Sequence, residues 1–161
     1  MAQTGKLQEA MGHWESALRL KPDFAEAHNN LGLALAQTGK LQEAMRHWES
    51  ALRLKPDFVE VHNNLGNALL ASGKTQEAIG HYEQACKLTN NRAAPYLNTL
   101  AAAYAAAGRF DNAFTTAQQA IELANSAGQV QVVSEIETRL ELYRAGRAYR
   151  APASVTSPHA P

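Results

Sequence analysis

Apolar and small residues recur at spacings of three and four along most of the chain, as in Leu31, Ala34, Leu35 and then Leu41, Ala44, Met45, Trp48, Ala51 and Leu52. That spacing lays an apolar stripe along one side of a helix and leaves polar residues on the other. It predicts helices over about 6–20, 25–37, 41–54, 59–71, 75–88, 94–107, 110–124 and 129–145. Gly39, Gly73 and Gly108 fall where one helix closes and the next begins, because glycine tolerates the positive φ of such an ending. Pro22 and Pro56 end alternate helices, since proline disfavours the helical region in the residue ahead of it. Asp23 with Glu26, and Asp57 with Glu60, are expected to cap the helices that follow through an N-cap and a reciprocal N3 carboxylate.

The pattern itself recurs with a period of thirty-four. Ala2 to Phe24 reads AQTGKLQEAMGHWESALRLKPDF and Ala36 to Phe58 reads AQTGKLQEAMRHWESALRLKPDF, so only Gly12 against Arg46 separates the two copies. The intervening AEAHNNLGL of 25–33 returns as VEVHNNLGN in 59–67, and a more divergent copy follows at YLNTLAAAYAAAGRFDNAFTTAQQAIEL from Tyr96. A fixed period of this length belongs to stacked supersecondary units, each burying its apolar face against a neighbour. The fold class is therefore all-α, an α-solenoid of antiparallel helix pairs. Its expected parts are a second helix alone over 1–24, full units over 25–58 and 59–92, a divergent unit over 93–127, a capping helix over 128–146 and a disordered tail over 147–161.

The cap is read from Val132, Val133, Ile136, Leu140 and Tyr143 on one side of the helix and Glu135, Glu137, Arg139, Glu141 and Arg144 on the other. The tail is read from its three prolines and lack of periodicity. The third junction, TNNRAA over 89–94, lacks the proline and carries one extra residue, because the glycine spacing changes from 34 to 35. The first helix lacks the partner that the other second helices have. Ala10, Trp14 and Leu18 are therefore expected to be partly uncovered.

With Leu31, Gly32, Gly39, Ala44, Trp48, Ala51 and Pro56 in register, the unit 25–58 resembles the tetratricopeptide repeat. It departs at His28 and Leu35, where the family often has Trp and Tyr. The next unit has Asn90 in place of the proline, and the third has Ala101 for the first glycine and Ala117 for the bulky aromatic. The resemblance covers about 2–124. HNNLG followed by HWESALRLKPDF looks most like the repeats of O-linked N-acetylglucosamine transferase and its bacterial relatives. What this implies is a right-handed superhelix whose first helices line a concave groove for a partner's extended peptide or helix. It also implies a scaffold rather than a catalyst, since such repeats do not themselves catalyse and no transferase domain is present in this sequence.

Opposite the core stripe, the first helices carry Glu26, Asn29, Asn30, Leu33 and Gln37, then Glu60, Asn63, Asn64, Asn67 and Ala71. In the transferase-like repeats, asparagines at the positions of Asn30 and Asn64 form a ladder that grips a peptide backbone. The third rung here is Thr99, with Asn98 beside it. A carboxamide suits that task because it offers donor and acceptor together and so satisfies a peptide unit without reading side chains. The alternative is that these asparagines are solvated or bond to neighbouring helices. At ~0.5–1.5 kcal/mol per hydrogen bond, a few rungs give micromolar or weaker affinity. Glu26 and Glu60 favour a basic ligand.

Charge narrows the field. Fifteen basic and fifteen acidic residues cancel, removing the broad positive field on which phosphate-backbone binding draws, so no nucleic-acid partner is expected. No apolar run reaches the ~18 residues of a membrane span, and a cytoplasmic protein without a membrane partner is expected. The single cysteine, Cys86, excludes an internal disulfide and stands where Leu18 and Leu52 stand, which reads as core. His13, His47 and His81 share one register, and His28 and His62 another. Equivalent histidines lie about a helix-packing distance of ~8–10 Å or more apart, far beyond the ~2.0–2.1 Å of a zinc ligand. No metal and no cofactor are assigned. Trp14, Trp48 and Tyr82 read as core, Arg139, Arg144, Arg147 and Arg150 as a solvated cap face, and no catalytic constellation stands out. The reading is a non-enzymatic scaffold. Its rival is a homo-oligomer built through Ala10, Trp14 and Leu18 or by exchange of near-identical repeats.

Overall fold

The computed structural model describes residues 2–147, with side chains from residue 5 onward. Eight helices make up the described chain: α1 Ala2–Leu20, α2 Ala25–Gln37, α3 Leu41–Leu54, α4 Val59–Ala71, α5 Thr75–Leu88, α6 Ala94–Ala106, α7 Phe110–Ser126 and α8 Val130–Arg144. The expected helices agree with these to within two residues, apart from the earlier start of α1. The proposed tail from 148 onward lies outside the described residues.

Each helix packs on its chain neighbours. The tight pairs are α2 with α3, α4 with α5 and α6 with α7, while α1–α2, α3–α4 and α5–α6 join successive pairs and α8 packs on α7. This is the nearest-neighbour arrangement of a solenoid. Small residues permit close approach: Ala44, Ala51, Ala78, Ala85, Ala113 and Ala120 on second helices are all fully buried. Gly32 in α2 leaves room for the indole of Trp48, and Gly66 in α4 leaves room for the ring of Tyr82. The third unit changes both partners in register, with Ala101 for the glycine and Ala117 for the aromatic, and both alanines are fully buried. With no large ring to accommodate, the glycine's space is not needed.

The turns within pairs are closed by glycine. At Gly39, φ is +80°, and the following Lys40 N–H donates to Leu35 O at 2.9 Å, satisfying a helix-end carbonyl. The third junction solves its extra residue differently, placing Asn90 and Asn91 in the left-handed region at φ 53° and 54°, with Asn91 N–H donating to Cys86 O at 2.7 Å. Asparagine is among the few non-glycine residues that enter this region readily.

The expected caps at Asp23 and Asp57 do not form. The N-cap residues are Phe24 and Phe58, neither helix start has a side-chain cap bond, and the Glu26 carboxylate lies 3.5 Å from Lys55 Nζ instead. With helical geometry beginning at Ala25 and Val59, each aspartate sits one position too early in the chain. At the other end, α8 buries Val133, Ile136 and Tyr143. Trp14, Ala10 and Leu18 on α1 are half-buried, whereas Trp48, in register with Trp14, is only 3% exposed beneath α2. No helix among the described residues is long and apolar enough to cross a membrane.

Candidate functional site

The asparagines of the first helices form a row that is bonded from unit to unit. Asn64 Nδ2 donates to Asn29 Oδ1 at 3.2 Å, and Arg139 Nη1 donates to Asn98 Oδ1 at 3.3 Å. The Thr99 hydroxyl lies 3.4 Å from Asn63 Oδ1 but has nearer acceptors in its own helix, Pro95 O at 2.7 Å and Tyr96 O at 3.2 Å. Its single hydrogen goes to the nearest of these, which makes Thr99 the poorest rung as a donor. Asn29, Asn63 and Asn98 are in register, and each side-chain oxygen faces a donor from a later element.

The row therefore divides. Asn29 is buried at 8% exposure and accepts from the next unit, so its carboxamide locks two repeats together. Asn30 and Asn64 are half-buried. Asn30 has no side-chain hydrogen-bond partner among the described residues, and Asn64 commits one of its two N–H groups, leaving the other and its oxygen. Leu33 and Asn67 lie exposed one turn further along, where Asn67 Oδ1 accepts from Tyr82 O–H at 2.7 Å. Glu26 and Glu60 are exposed at the start of the stripe.

The histidines are brought together across registers rather than within one. His28 Nδ1 lies 3.0 Å from His47 Nδ1, and His62 Nδ1 lies 3.0 Å from His81 Nδ1. In each pair the outer nitrogen of the first-helix histidine meets a proline carbonyl: His28 Nε2 to Pro22 O at 3.1 Å and His62 Nε2 to Pro56 O at 2.9 Å. A carbonyl can only accept, so in the neutral pair Nε2 carries the hydrogen and Nδ1 presents a lone pair. His47 and His81 then donate from Nδ1. Each clasp ties the junction turn, the first helix and the second helix of one unit. Burial holds His47 and His81 below the usual histidine pKa, with the paired histidine adding to the effect.

This pairing was missed in the sequence, although its signal was present as a repeated spacing of nineteen between His28 and His47 and between His62 and His81. No group of three or more metal-ligating side chains converges among the described residues. Cys86 is buried, and burial followed by the nearby Glu83 charge pushes its thiol up to about 11.

A row of antiparallel helix pairs with a polar stripe along successive first helices defines a helical-repeat scaffold. The chain belongs to the tetratricopeptide-repeat family: models described as TPR repeat match residues 2–39 and 34–73, and models described as tetratricopeptide repeat match 59–92 and 94–126. Proteins of this family bind protein partners. Two crystal structures of MamA share the fold. One is 18% identical with a TM-score of 0.69, covering 90% of this chain and 91% of the other. The second is 19% identical with a TM-score of 0.71, covering 90% and 81%. No curated protein matches the chain.

Proposed function

We propose that the chain is a protein-interaction scaffold without catalytic activity that holds an extended peptide of a partner along α2, α4 and α6. Asn30 and Asn64 grip the peptide backbone, with Glu26, Leu33, Glu60 and Asn67 along the same stripe. The observation that carries this is the division of the asparagine row. Asn29 serves the inter-repeat contact, while Asn30 and Asn64 keep hydrogen-bonding capacity at a half-buried surface. Asparagine is a mediocre helix former, so local propensity does not account for two in succession on each helix. Asn63, Asn98 and Thr99 are support for the row, given their bonds to neighbouring elements and to Thr99's own helix.

The test is a panel of extended peptides titrated by fluorescence anisotropy into the wild-type chain and into Asn30→Ala/Asn64→Ala. Two lost rungs at about 1 kcal/mol each reduce affinity about thirtyfold. Unchanged affinity in a helical variant removes the ladder. A second reading rests on Trp14, which is half-buried where its counterpart Trp48 is buried. Self-association through Ala10, Trp14 and Leu18 predicts a mass that rises with concentration and falls back in Trp14→Ala; a concentration-independent monomer removes it.

A further inference from the structure

Two cavities repeat between successive second helices, each floored by the first helix lying between them. The first, about 270 Å³, is lined by Glu15, Leu18, Leu31, Leu35 and His47 together with neighbouring charged residues. The second, about 310 Å³, is lined by the residues thirty-four positions later: Glu49, Leu52, Leu65, Leu69 and His81. Each has a floor of leucines, two carboxylates, Glu15 with Glu43 in the first and Glu49 with Glu77 in the second, and one guanidinium, Arg19 or Arg53.

The third unit shows what such a place can hold. Tyr104 stands in register with Leu35 and Leu69, by the common distance of four residues to Gly108, Gly39 and Gly73. Its ring is buried, and its O–H donates to Glu83 Oε1 at 2.7 Å. Glu83 is the register partner of Glu15 and Glu49. The Arg109 guanidinium lies 4.4 Å from the ring centroid, and Lys40 and Lys74 stand in its register. The first two cavities thus retain in their linings the acceptor that meets Tyr104, as Glu15 and Glu49, but carry leucine where the ring is; Lys74 turns instead to Glu77 at 3.6 Å.

We propose that the cavities at Leu35 and Leu69 each bind the phenol ring of a tyrosine side chain presented by a partner chain, the ring on the leucine floor and the hydroxyl donating to Glu15 or Glu49. The complementarity is electrostatic as well as steric. A carboxylate acceptor matches a phenol O–H, offers nothing to a phenylalanine ring and repels a phosphorylated one. Arg19 and Arg53 each supply one cation to a cavity lining, outnumbered there by the two carboxylates. This site is separate from the asparagine row, so either proposal can fail while the other stands.

The test is a titration of N-acetyl-tyrosine amide into the 15N-labelled protein, followed through the amides of Leu35 and Leu69, with the phenylalanine and phosphotyrosine amides in parallel. The expected result is saturable shifts at both cavities, a preference for tyrosine over phenylalanine of about three- to tenfold, and no saturation by phosphotyrosine. Leu35→Tyr/Leu69→Tyr supplies the ring from within the chain and abolishes the shifts. Glu15→Ala/Glu49→Ala, two exposed surface changes, brings the tyrosine preference down to about one. Absence of saturable shifts in the wild type, shifts that persist in a folded Leu35→Tyr/Leu69→Tyr protein, or a tyrosine preference that survives the glutamate changes overturns the proposal. Should the tyrosine variant fail to fold, the glutamate variant decides alone.

Discussion

Gly32→Ala and Gly80→Ala are the same chemical change in two helix interiors, and they should have opposite signs. A Cβ at Gly80 meets nothing within 4 Å. That substitution gains the ~1 kcal/mol by which alanine exceeds glycine in helix propensity. A Cβ at Gly32 lies 2.6 Å from Trp48 Nε1 and 2.9 Å from Cδ1 and Cε2, all atoms of one rigid ring. The indole is 3% exposed, and its N–H donates to Asn29 O at 3.3 Å, so a shift of the ring also disturbs a buried hydrogen bond. Overpacking of this kind costs about 1–3 kcal/mol and loss of the bond about 1 kcal/mol more. Set against the propensity gain of ~1 kcal/mol, the net is a loss of about 1–3 kcal/mol. Urea denaturation followed by helical circular dichroism measures both variants against wild type, with the m-value checked because repeat arrays can lose cooperativity. Combining Gly32→Ala with Trp48→Leu should recover part of the Gly32→Ala loss as a favourable coupling, since the methyl then fills space the ring has left. A Gly32→Ala protein at or above wild-type stability refutes the interlock.

Three further outcomes follow from the same contacts. Because burial and the paired ring lower the folded pKa of His47 and His81 below 6.5, the unfolded chain binds protons first; the stability they contribute is present above about pH 6.5 and is lost as pH falls below it toward the folded values. Thermal melts from pH 7.5 down to about 5.5 should show this loss, and His47→Gln/His81→Gln should flatten it. Tyr104→Phe removes the 2.7 Å bond to Glu83 and should cost about 0.5–1.5 kcal/mol, whereas the buried Tyr143 hydroxyl has no hydrogen-bond partner among the described residues, so Tyr143→Phe should leave the denaturation midpoint unchanged or raise it. The Cys86 thiol, buried with its pKa near 11, should resist a disulfide reagent at pH 8 in the folded protein and react at once in denaturant; rapid reaction with the native chain would show that α5 opens readily.

The helices were legible because periodicity and punctuation agreed. The 3.6-residue apolar pattern, the glycines at 39, 73 and 108 and the prolines at 22 and 56 all mark the same boundaries, and the observed α2 to α5 begin and end where that pattern predicts. The caps were not legible, because a capping motif is a matter of one residue: helical geometry starts at Ala25, and Asp23 is thereby excluded. The asparagine row was legible as a stripe but not as a network. Whether a carboxamide faces solvent or a side chain of the adjacent unit depends on the few ångströms separating stacked units, which fixes the 3.2 Å contact from Asn64 to Asn29 and which no single-unit pattern contains. The histidine clasps failed for a related reason, since comparing equivalent positions hides contacts between non-equivalent ones.

The third unit shows how such an array tolerates divergence. Taken separately, Ala101 and Ala117 remove a signature glycine and a signature aromatic. Together they delete a knob and the hole that receives it, and both remain fully buried. The same unit replaces the histidine clasp with Leu97 and Thr116 in register, and closes its longer junction with Asn90 and Asn91 at positive φ. It also gains Tyr104, which reaches back to Glu83 of the preceding helix. Each change is compensated within one unit or against its immediate neighbour, as a solenoid allows, because no unit must satisfy contacts beyond the next unit. The units 25–58 and 59–92 have no such internal occupant, so the surfaces they leave open, the asparagine edge and the leucine-floored cavities, recur at a fixed spacing of one repeat. A partner that extends along the solenoid can engage both copies at once, and the second engagement is intramolecular once the first is made. Weak individual contacts of the kind proposed at Asn30 and Asn64 would then add along the chain, which is the physical advantage of repeating one surface in successive units.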